Sequence, residues 1–540
     1  MSELSFIQPA PELGNQYRDD WFLSAWLQTE LPSDLYRAEA PVLDELGDRA
    51  GHEWFRMQQA EREVEPKLVQ WDPWGRRIDL ISLTPMWQQA RHWAAEYGLV
   101  AAGYDTALGA YARTIQFARA WLFVPSTDFY GCPLAMTDGA VKVLMQAANR
   151  VPAERALPHL LARDGEQFWT SGQWMTETVG GSDVSRTETV ARQTADGQWQ
   201  LTGRKWFTSA INSEMALTLA RPEGNPSGSR GLALFYVETR GADGRLNGIE
   251  VLRLKDKLGT RKLPTAELFL NATPAEAVGE LANGVAAIAP MLNLTRTWNA
   301  VTACSLMRRG LALAWSYAGR RRAFGELLEA LPLHRRTLEL ADADFALASA
   351  ATWAMIRELG RVEHDHPEAD PALVRMLTPV VKLGTAKDAV AVTSEVLESF
   401  GGAGYIEDTG LPVLLRDVQV LPIWEGTTNV LALDLIRAVD RAGLKPWTGW
   451  VERTLERAAP QLPEQGLSAV RRSVASLCSS FDRSPGQLEA SARHLALQLY
   501  RTTGLVELLA LSARCAECEH ASLATLKRVM HDVLEYRFRA

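Results

Sequence analysis

The hydrophobic pattern of this chain changes period twice, and that change limits its fold more than any other feature. Up to about residue 170 apolar residues recur at helical spacing, as in Thr84 to Val100 (TPMWQQARHWAAEYGLV) and Asp138 to Val151 (DGAVKVLMQAANRV), which puts one face of each segment on a core. From about 171 to 283 the spacing becomes alternation. Trp199 and Leu201 alternate with Gln198, Gln200 and Thr202 just after an Asp196-Gly197 turn, the pattern of a hairpin. GLALFYVET, after the turn-rich loop EGNPSGSRG, is a second strand. From about 284 the helical period returns, with Leu306, Gly310, Leu313 and Tyr317 on one face of a segment that ends in Arg320, Arg321 and Arg322. A further helix is expected from Thr378, with that residue as cap, Pro379 in the first turn, Val381, Ala389, Val392 and Val396 on one face and Gly401 past its end. Pro446, Pro460, Pro463 and Pro485 then divide a last helical region.

The expected fold class is therefore α+β, in four parts: residues 1–170 helical, 171–283 a β domain, 284–440 a helical bundle, and 441–540 an extra helical region. At 540 residues the chain exceeds what one hydrophobic core usually serves. Hydrophobic residues at 47% and charged ones at 23% are ordinary globular values. No run of about 18 apolar residues could span a bilayer, and the first residues, MSELSFIQPAPELG, lack the basic and apolar regions of a secretory leader. A soluble, cytoplasmic protein without a membrane partner is the expectation. The five cysteines are too scattered for a disulfide framework, which fits a reducing compartment. Cys515, Cys518 and His520 fall short of the four ligands of a structural zinc site, so no metal is expected. The net charge of −8 is uneven: residues 441–540 hold 14 basic and 10 acidic side chains, or +4, leaving −12 for the rest. That excess is weak beside the basic stripe of a nucleic-acid module, and a plain solvated surface explains it.

Four clusters carry specific chemistry. In WMTETVGGSDV (174–184) a hydroxyl-rich turn followed by Gly180, Gly181 and Ser182 exposes backbone N–H groups and hydroxyls, which suit a diphosphate or a ring carbonyl, although such a turn also stands as structure alone. In RKWFTSA (204–210) Trp206 offers a flat face and Thr208 a short donor, or the indole is simply core. In YAGRRRAFGELL (317–328) consecutive arginines end an apolar helix, either as compensation of its dipole or as a fork for phosphate. SFGGAGYIEDTGLPVLLRDVQVLPIWEGTTN (399–429) holds a glycine turn, Arg416-Asp417, and Glu425 beside Ile423 and Trp424. A carboxylate in an apolar setting becomes a better base toward a carbon acid, or it has a buried ion-pair partner.

In order, MTE with GGSD, Trp-x-Thr, R-x-x-FG and EGT resemble the motifs of the acyl-CoA dehydrogenase family, over about residues 80 to 440. The strings WDPWGRRIDL (71–80) and GCPLAMT (131–137), with the extra C-terminal region, look like its alkylation-response, AidB-like branch. The resemblance implies the acyl-CoA dehydrogenase fold: an N-terminal helical domain, a middle β-barrel-like domain and a C-terminal helical bundle. It implies FAD as cofactor. Thr176, Gly181 and Ser182 would meet the flavin ring and diphosphate, with Trp206 and Thr208 beside the ring. Arg321, three before Phe324, would reach the FAD of a neighbouring subunit, with Gly401 and Gly402 lining that adenosine-diphosphate site and Thr427 and Asn429 on the cofactor's other side. Sharing of the flavin site implies an oligomer, a homotetramer. Arg296 falls where the family places an arginine near acyl-CoA. Glu398 and Pro332 stand where glutamines are common, and Asn293 where an aspartate is.

By the same resemblance the activity is α,β-dehydrogenation of an acyl-CoA thioester in fatty acid metabolism. Glu425 would take the α-proton, the β-hydrogen would leave as hydride to the flavin, and an electron-transfer flavoprotein would be the acceptor. The Glu425 backbone N–H and a flavin ribityl hydroxyl would meet the thioester oxygen. The alternative is an AidB-like flavoprotein that binds double-stranded DNA and protects it from alkylation, for which the +4 tail is the compositional support. A non-catalytic acyl-CoA carrier would not need Glu425.

Overall fold

A computed structural model describes residues 8–458 and 461–538. The chain forms two compact units, one from the residues up to Gln59, Thr106–Ser126 and Asn299 onward, the other from Ala60–Asp105 and Thr127–Trp298.

The second unit is built on a seven-stranded sheet. Its strands run in the order Ser171–Trp174, Met215–Pro222, Val190–Gln193, Trp199–Ser209, Thr265–Ala277, Ala233–Glu238, with Ile249–Leu254 paired to Thr265–Ala277. Met215–Pro222 also pairs antiparallel with Ala233–Glu238, which closes the sheet on itself as a barrel closes. Alternate residues point inward, so Trp174, Leu201, Phe235, Val251 and Leu268 fill the interior. The hairpin at Asp196-Gly197 forms as expected, Val190–Gln193 pairing with Trp199–Ser209 across Gly197 at φ 87°. The helices Pro85–Glu96, Gly131–Gln146 and Val151–Leu160 belong to this unit. Thr84 caps the first, its hydroxyl accepting from the Trp87 N–H at 3.2 Å.

One element interrupts the helical reading of the N-terminal part: an antiparallel ribbon of Lys67–Trp71 and Arg77–Ser82. Its inner face holds polar groups. The Gln70 amide donates to the Val251 carbonyl at 2.9 Å, and Asp79 accepts from the Val251 N–H at 3.0 Å. Val69, Trp71, Ile78 and Leu80 are left exposed. Leu68 and Ile81 pack on the barrel core beside those polar groups, so apolar residues occupy both faces of the ribbon and no clean alternation marks its strands.

The first unit is helical. The long helices Pro332–Glu363, Pro371–Ser399 and Pro485–Glu517 pack on one another, with Thr428–Ala442, Lys445–Ala458, Glu464–Phe481 and Leu523–Arg537 against them. Pro446, Pro463 and Pro485 lie at helix starts, and Pro460 lies outside the described residues. The region after residue 441 is part of the core. A Cβ on Gly384 would lie 2.2 Å from the Tyr500 ring, and one on Gly504 would lie 2.5 Å from the Leu347 carbonyl oxygen, so both crossings need glycine. Arg357 also donates to the fully buried Glu507 at 3.0 and 2.7 Å. Arg309, buried without a carboxylate bonded to it among the described residues, donates to Ser126 Oγ at 2.5 Å and to Ala50 O, at the end of Ser33–Gly51, at 3.2 Å. Burial and the neighbouring Arg308 push it down to about 9.

The helix expected from Thr378 begins earlier, at Pro371, capped by Asp370, whose carboxylate accepts from the Ala372 and Leu373 N–H groups. Thr378 turns its hydroxyl back to the Val374 carbonyl at 2.8 Å, and Pro379 sits inside the helix. Asp370-Pro371 and Thr378-Pro379 both carry cap chemistry, and the apolar Leu373, Val374, Met376 and Leu377 between them extend the helix to the first. No helix among the described residues is long and apolar enough to cross a membrane.

Asp342 is buried, and accepts the Trp315 indole N–H at 2.9 Å. Burial pushes its carboxyl up to about 6, against that bond and the charges of Arg308 and Arg528. A carboxyl with a folded value above its unfolded value of 3.8 contributes stability at low pH that is lost as pH rises through 6. Asp342→Asn keeps an acceptor for Trp315, so its melting temperature should gain on that of the parent between pH 4.5 and pH 7.5, as read in a pH series of thermal scans.

Candidate active site

In the sheet unit the first two motifs are fastened together. The Trp206 N–H donates to the Thr176 carbonyl at 2.9 Å, and Glu177 and Gly180 close a tight turn by exchanging backbone bonds. Beneath them Lys205, fully buried, donates to the buried Glu177 carboxylate and to the Leu219 carbonyl, both at 2.8 Å. Burial alone would raise the Glu177 carboxyl; the Lys205 ammonium, the Thr189 hydroxyl and the Glu188 N–H outweigh it and hold the group below its ordinary range. Above this pair Gly181 and Ser182 are exposed and Thr176 half-buried. A Cβ on Gly181 would lie 3.3 Å from Thr176 Cγ2, so the missing side chain keeps that threonine uncovered.

Trp206 is half-buried, with the Lys255 ammonium 3.2 Å from its ring centroid and itself bonded to Glu267 at 2.7 Å. Thr208 is fully buried and its hydroxyl donates to the Ala266 carbonyl at 2.6 Å, so its single proton is engaged within the sheet. Arg296, on the helix Gly284–Ala318, is half-buried, and Asn293 lies one turn before it.

The remaining site residues lie in the helical unit. Tyr317 and Phe400 pack ring to ring at 4.7 Å, which sets the arginine cluster beside the glycine turn. Arg321 is half-buried and donates its N–H to the Tyr317 carbonyl at 2.8 Å. The next residues form a small hairpin, Arg322–Ala323 with Glu326–Leu327, turning at Phe324 (φ 53°) and Gly325 (φ 87°). Two successive positive φ values make a tight type I′ turn, and they leave the Phe324 ring 96% exposed. Gly401, at φ 60°, and Gly402 are exposed, as is Glu398. Pro332 opens the helix after the hairpin, where a missing N–H costs nothing.

Glu425 stands in a short loop between Pro412–Val418 and Thr428–Ala442, half-buried, with φ at 55°. Trp424 is half-buried but Ile423 is 62% exposed, so the apolar setting expected around the carboxylate is one-sided. Thr427, exposed, precedes the helix that carries the exposed Asn429. The loop is held from below: Lys382, fully buried on the helix Pro371–Ser399, donates to the carbonyls of Trp424 at 2.6 Å and Gly426 at 2.7 Å.

The domain family "Acyl-CoA dehydrogenase, middle domain" matches residues 172–273, its C-terminal domain residues 282–439, and "Adaptive response protein AidB N-terminal domain" residues 8–166. "Acyl-CoA dehydrogenase family member 11" of Caenorhabditis elegans is 40% identical over 518 residues, 92% of this chain and 84% of that protein. The chain belongs to the acyl-CoA dehydrogenase family. "Putative acyl-CoA dehydrogenase AidB" of Escherichia coli (strain K12) is 31% identical, over 70% of this chain and 69% of that protein. The solved structure of C. elegans ACDH-11 in complex with C11-CoA superposes at a TM-score of 0.95 and 36% identity, covering all of this chain and 94% of that one. An acyl-CoA dehydrogenase from Bacillus anthracis, solved complexed with FAD, shares the fold at a TM-score of 0.68 and 18% identity.

The motifs of the acyl-CoA dehydrogenase family named the surface residues of both units and missed what lies under them. Glu177 and Lys205 stand in the strings WMTETVGGSDV and RKWFTSA without a role assigned to them, and Lys255 and Lys382 lie outside all four strings, because a lone lysine or glutamate in a strand or helix reads as solvated surface. The signal was present for Lys382, alone among Val380, Val381, Leu383 and the apolar positions a turn away. Removing one partner of a buried pair strands the other, at a cost of about 3–5 kcal/mol. Lys205→Met should therefore lower the urea midpoint of the sheet unit, and Glu177→Gln/Lys205→Met should recover part of the loss; a Lys205→Met midpoint equal to the parent's would show that the pair carries no weight.

Proposed function

We propose that this protein is an FAD-dependent acyl-CoA dehydrogenase that converts an acyl-CoA thioester to the 2-enoyl-CoA, with Glu425 as the base. The observation that carries the reading is Glu425 itself: a half-buried carboxylate, held in left-handed backbone, in the closing motif of the family. The names of the relatives support the substrate class, since ACDH-11 was solved with C11-CoA.

The residues present fit FAD. The uncovered Thr176, the exposed Gly181 and Ser182 backbone and the Trp206 indole provide donors and a flat face of the kind a flavin and its diphosphate need. With the Lys255 ammonium on one face of the indole, the flat ring would lie on the other. Thr208 would serve through its backbone and its hydroxyl oxygen, its proton being engaged with Ala266. Arg321, Phe324, Gly401 and Gly402 would meet the cofactor of a neighbouring copy, and Thr427 and Asn429 its other side. The nearly bare Phe324 ring and the 90% exposed Tyr405 support an interface with another copy there, a homotetramer in this reading. When bound, FAD supplies the acceptor for the hydride and passes electrons on, to an electron-transfer flavoprotein in this reading.

What the chain does is hold and deprotonate the acyl-CoA. Glu425 removes the proton on the carbon next to the thioester carbonyl, which is acidic because the enolate charge spreads onto oxygen. Its own backbone N–H is the chain's donor toward that oxygen, and a fixed donor there supplies several kcal/mol. Arg296 would lie along the CoA.

The DNA-binding alternative has only the modest +4 excess over residues 441–540 as its support. Of the basic residues after 441, Arg457, Arg528 and Arg537 pair with Glu368, Glu339 and Asp344 outside that region, while its acids Asp532 and Glu507 pair with Arg336 and Arg357 outside it, so ion pairing leaves that excess nearly unchanged. Free cysteines throughout the described residues fit a reducing, cytoplasmic setting.

Glu425→Gln should give a yellow, folded protein whose flavin no acyl-CoA bleaches under anaerobic conditions; bleaching at the parent rate would remove Glu425 from the reaction. Arg321→Ala should lose FAD on dialysis faster than the parent, since a charge-assisted phosphate contact is gone, and unchanged flavin content would take Arg321 out of the cofactor site.

A further inference from the structure

The most confined group near the base is one that none of the motifs contains. Lys382 lies in the middle of the 29-residue helix Pro371–Ser399, 0% exposed, between Val381 and Leu383, which are also buried. An ammonium in such a place must be given acceptors. It donates to the carbonyls of Trp424 and Gly426, at 2.6 and 2.7 Å, which are the carbonyls on either side of Glu425. The loop between them is short. Ile423 and Trp424 both donate to the Val420 carbonyl, which closes the preceding turn, and Leu431 donates to the Thr427 carbonyl, which starts the next helix. Glu425 and Gly426, at φ 55° and 102°, fall between those two anchored ends. A glutamate in left-handed backbone is disfavoured by its Cβ and persists only where its surroundings impose it.

We infer that Lys382 is a positioning residue for the base: by gripping the peptide carbonyls before and after Glu425 it imposes the left-handed turn that aims the carboxylate. The inference rests on the dehydrogenase reading for its consequence in catalysis, and on the two hydrogen bonds alone for its consequence in structure. Lys382 touches neither proton nor substrate in this role. Its loss changes where the carboxylate stands, and a displacement of about 1 Å in a reacting group is enough to cost on the order of 100-fold in rate.

The test compares FAD-loaded parent and Lys382→Met, a side chain of similar length without the donors. Two readouts are taken: the rate of anaerobic flavin reduction by undecanoyl-CoA after rapid mixing, and backbone hydrogen exchange of residues 420–429 without substrate. Lys382→Met should exchange faster in that segment while the sheet unit exchanges as in the parent. It should reduce its flavin about 100-fold more slowly, with undecanoyl-CoA affinity and FAD content little changed. Parent-like exchange in 420–429 overturns the inference, as does parent-like reduction in a protein that the parent's substrate reduces. If undecanoyl-CoA and shorter or longer acyl-CoAs all fail to reduce the parent, the dehydrogenase reading falls and the exchange result still decides whether Lys382 holds the turn. Where Lys382→Met does not yield folded holoenzyme, Lys382→Gln, which retains amide donors, takes its place. It should fall between parent and full loss in both readouts, and exchange equal to the parent's with an equal rate counts against the inference.

Discussion

A buried ammonium cannot be left without acceptors, and in each of the two units that requirement organises the backbone at the candidate site. In the sheet unit Lys205 is shut inside the barrel and bonds Glu177 and the Leu219 carbonyl. Because Glu177 belongs to the first motif and Lys205 to the second, the pair draws the two strings into one surface, and the Trp206-to-Thr176 backbone bond completes the join. In the helical unit Lys382 does the same for one loop, with carbonyls in place of a carboxylate. The difference is chemical. The Lys205 ammonium joins two strings through a carboxylate, while the Lys382 ammonium bonds the backbone of one loop.

The region after residue 441 is tied to the bundle by contacts of the same kind. Glu507 is fully buried and survives there because Arg357 and Arg514 both donate to it, and the Tyr500 ring fills the space that Gly384 leaves. These are core interactions, made with the helices Pro332–Glu363 and Pro371–Ser399. The helix that carries Lys382 is thus packed on one side by the extra region and bonds the Glu425 loop on another. Trimming the chain at residue 440 would uncover that helix.

Much of the fold was legible in the sequence because its signals are local. Alternation around Trp199 and Leu201 with Asp196-Gly197 sufficed for the hairpin, and helical spacing after Thr84 for the helix Pro85–Glu96. The start of Pro371–Ser399 was misplaced because two cap-and-proline pairs compete and only packing chooses between them. The ribbon of Lys67–Trp71 and Arg77–Ser82 stayed hidden because apolar residues stand on both of its faces, Leu68 and Ile81 on the barrel core and Val69, Trp71, Ile78 and Leu80 outward. At the candidate site the family's motifs pointed to residues that the structure leaves largely at the surface of each unit. The supporting lysines were not legible, since what gives Lys205 and Lys382 their role is burial and a partner distant in sequence, 28 and 42 residues away. Thr208 shows the converse: a hydroxyl expected to face a cofactor gives its proton to the neighbouring strand.

Membership of the acyl-CoA dehydrogenase family leaves the chemistry of Glu425 as the central claim, and isotopic substitution reaches it most directly. Undecanoyl-CoA deuterated at C2 alone, at C3 alone or at neither is mixed anaerobically with the FAD-loaded protein, and flavin reduction and the product are followed together. Abstraction of the α-proton by Glu425 with departure of the β-hydrogen requires that deuterium at either carbon slow the reduction and that the product be the 2-enoyl-CoA. Reduction indifferent to deuterium at C2, or a bleached flavin without enoyl-CoA, would contradict it.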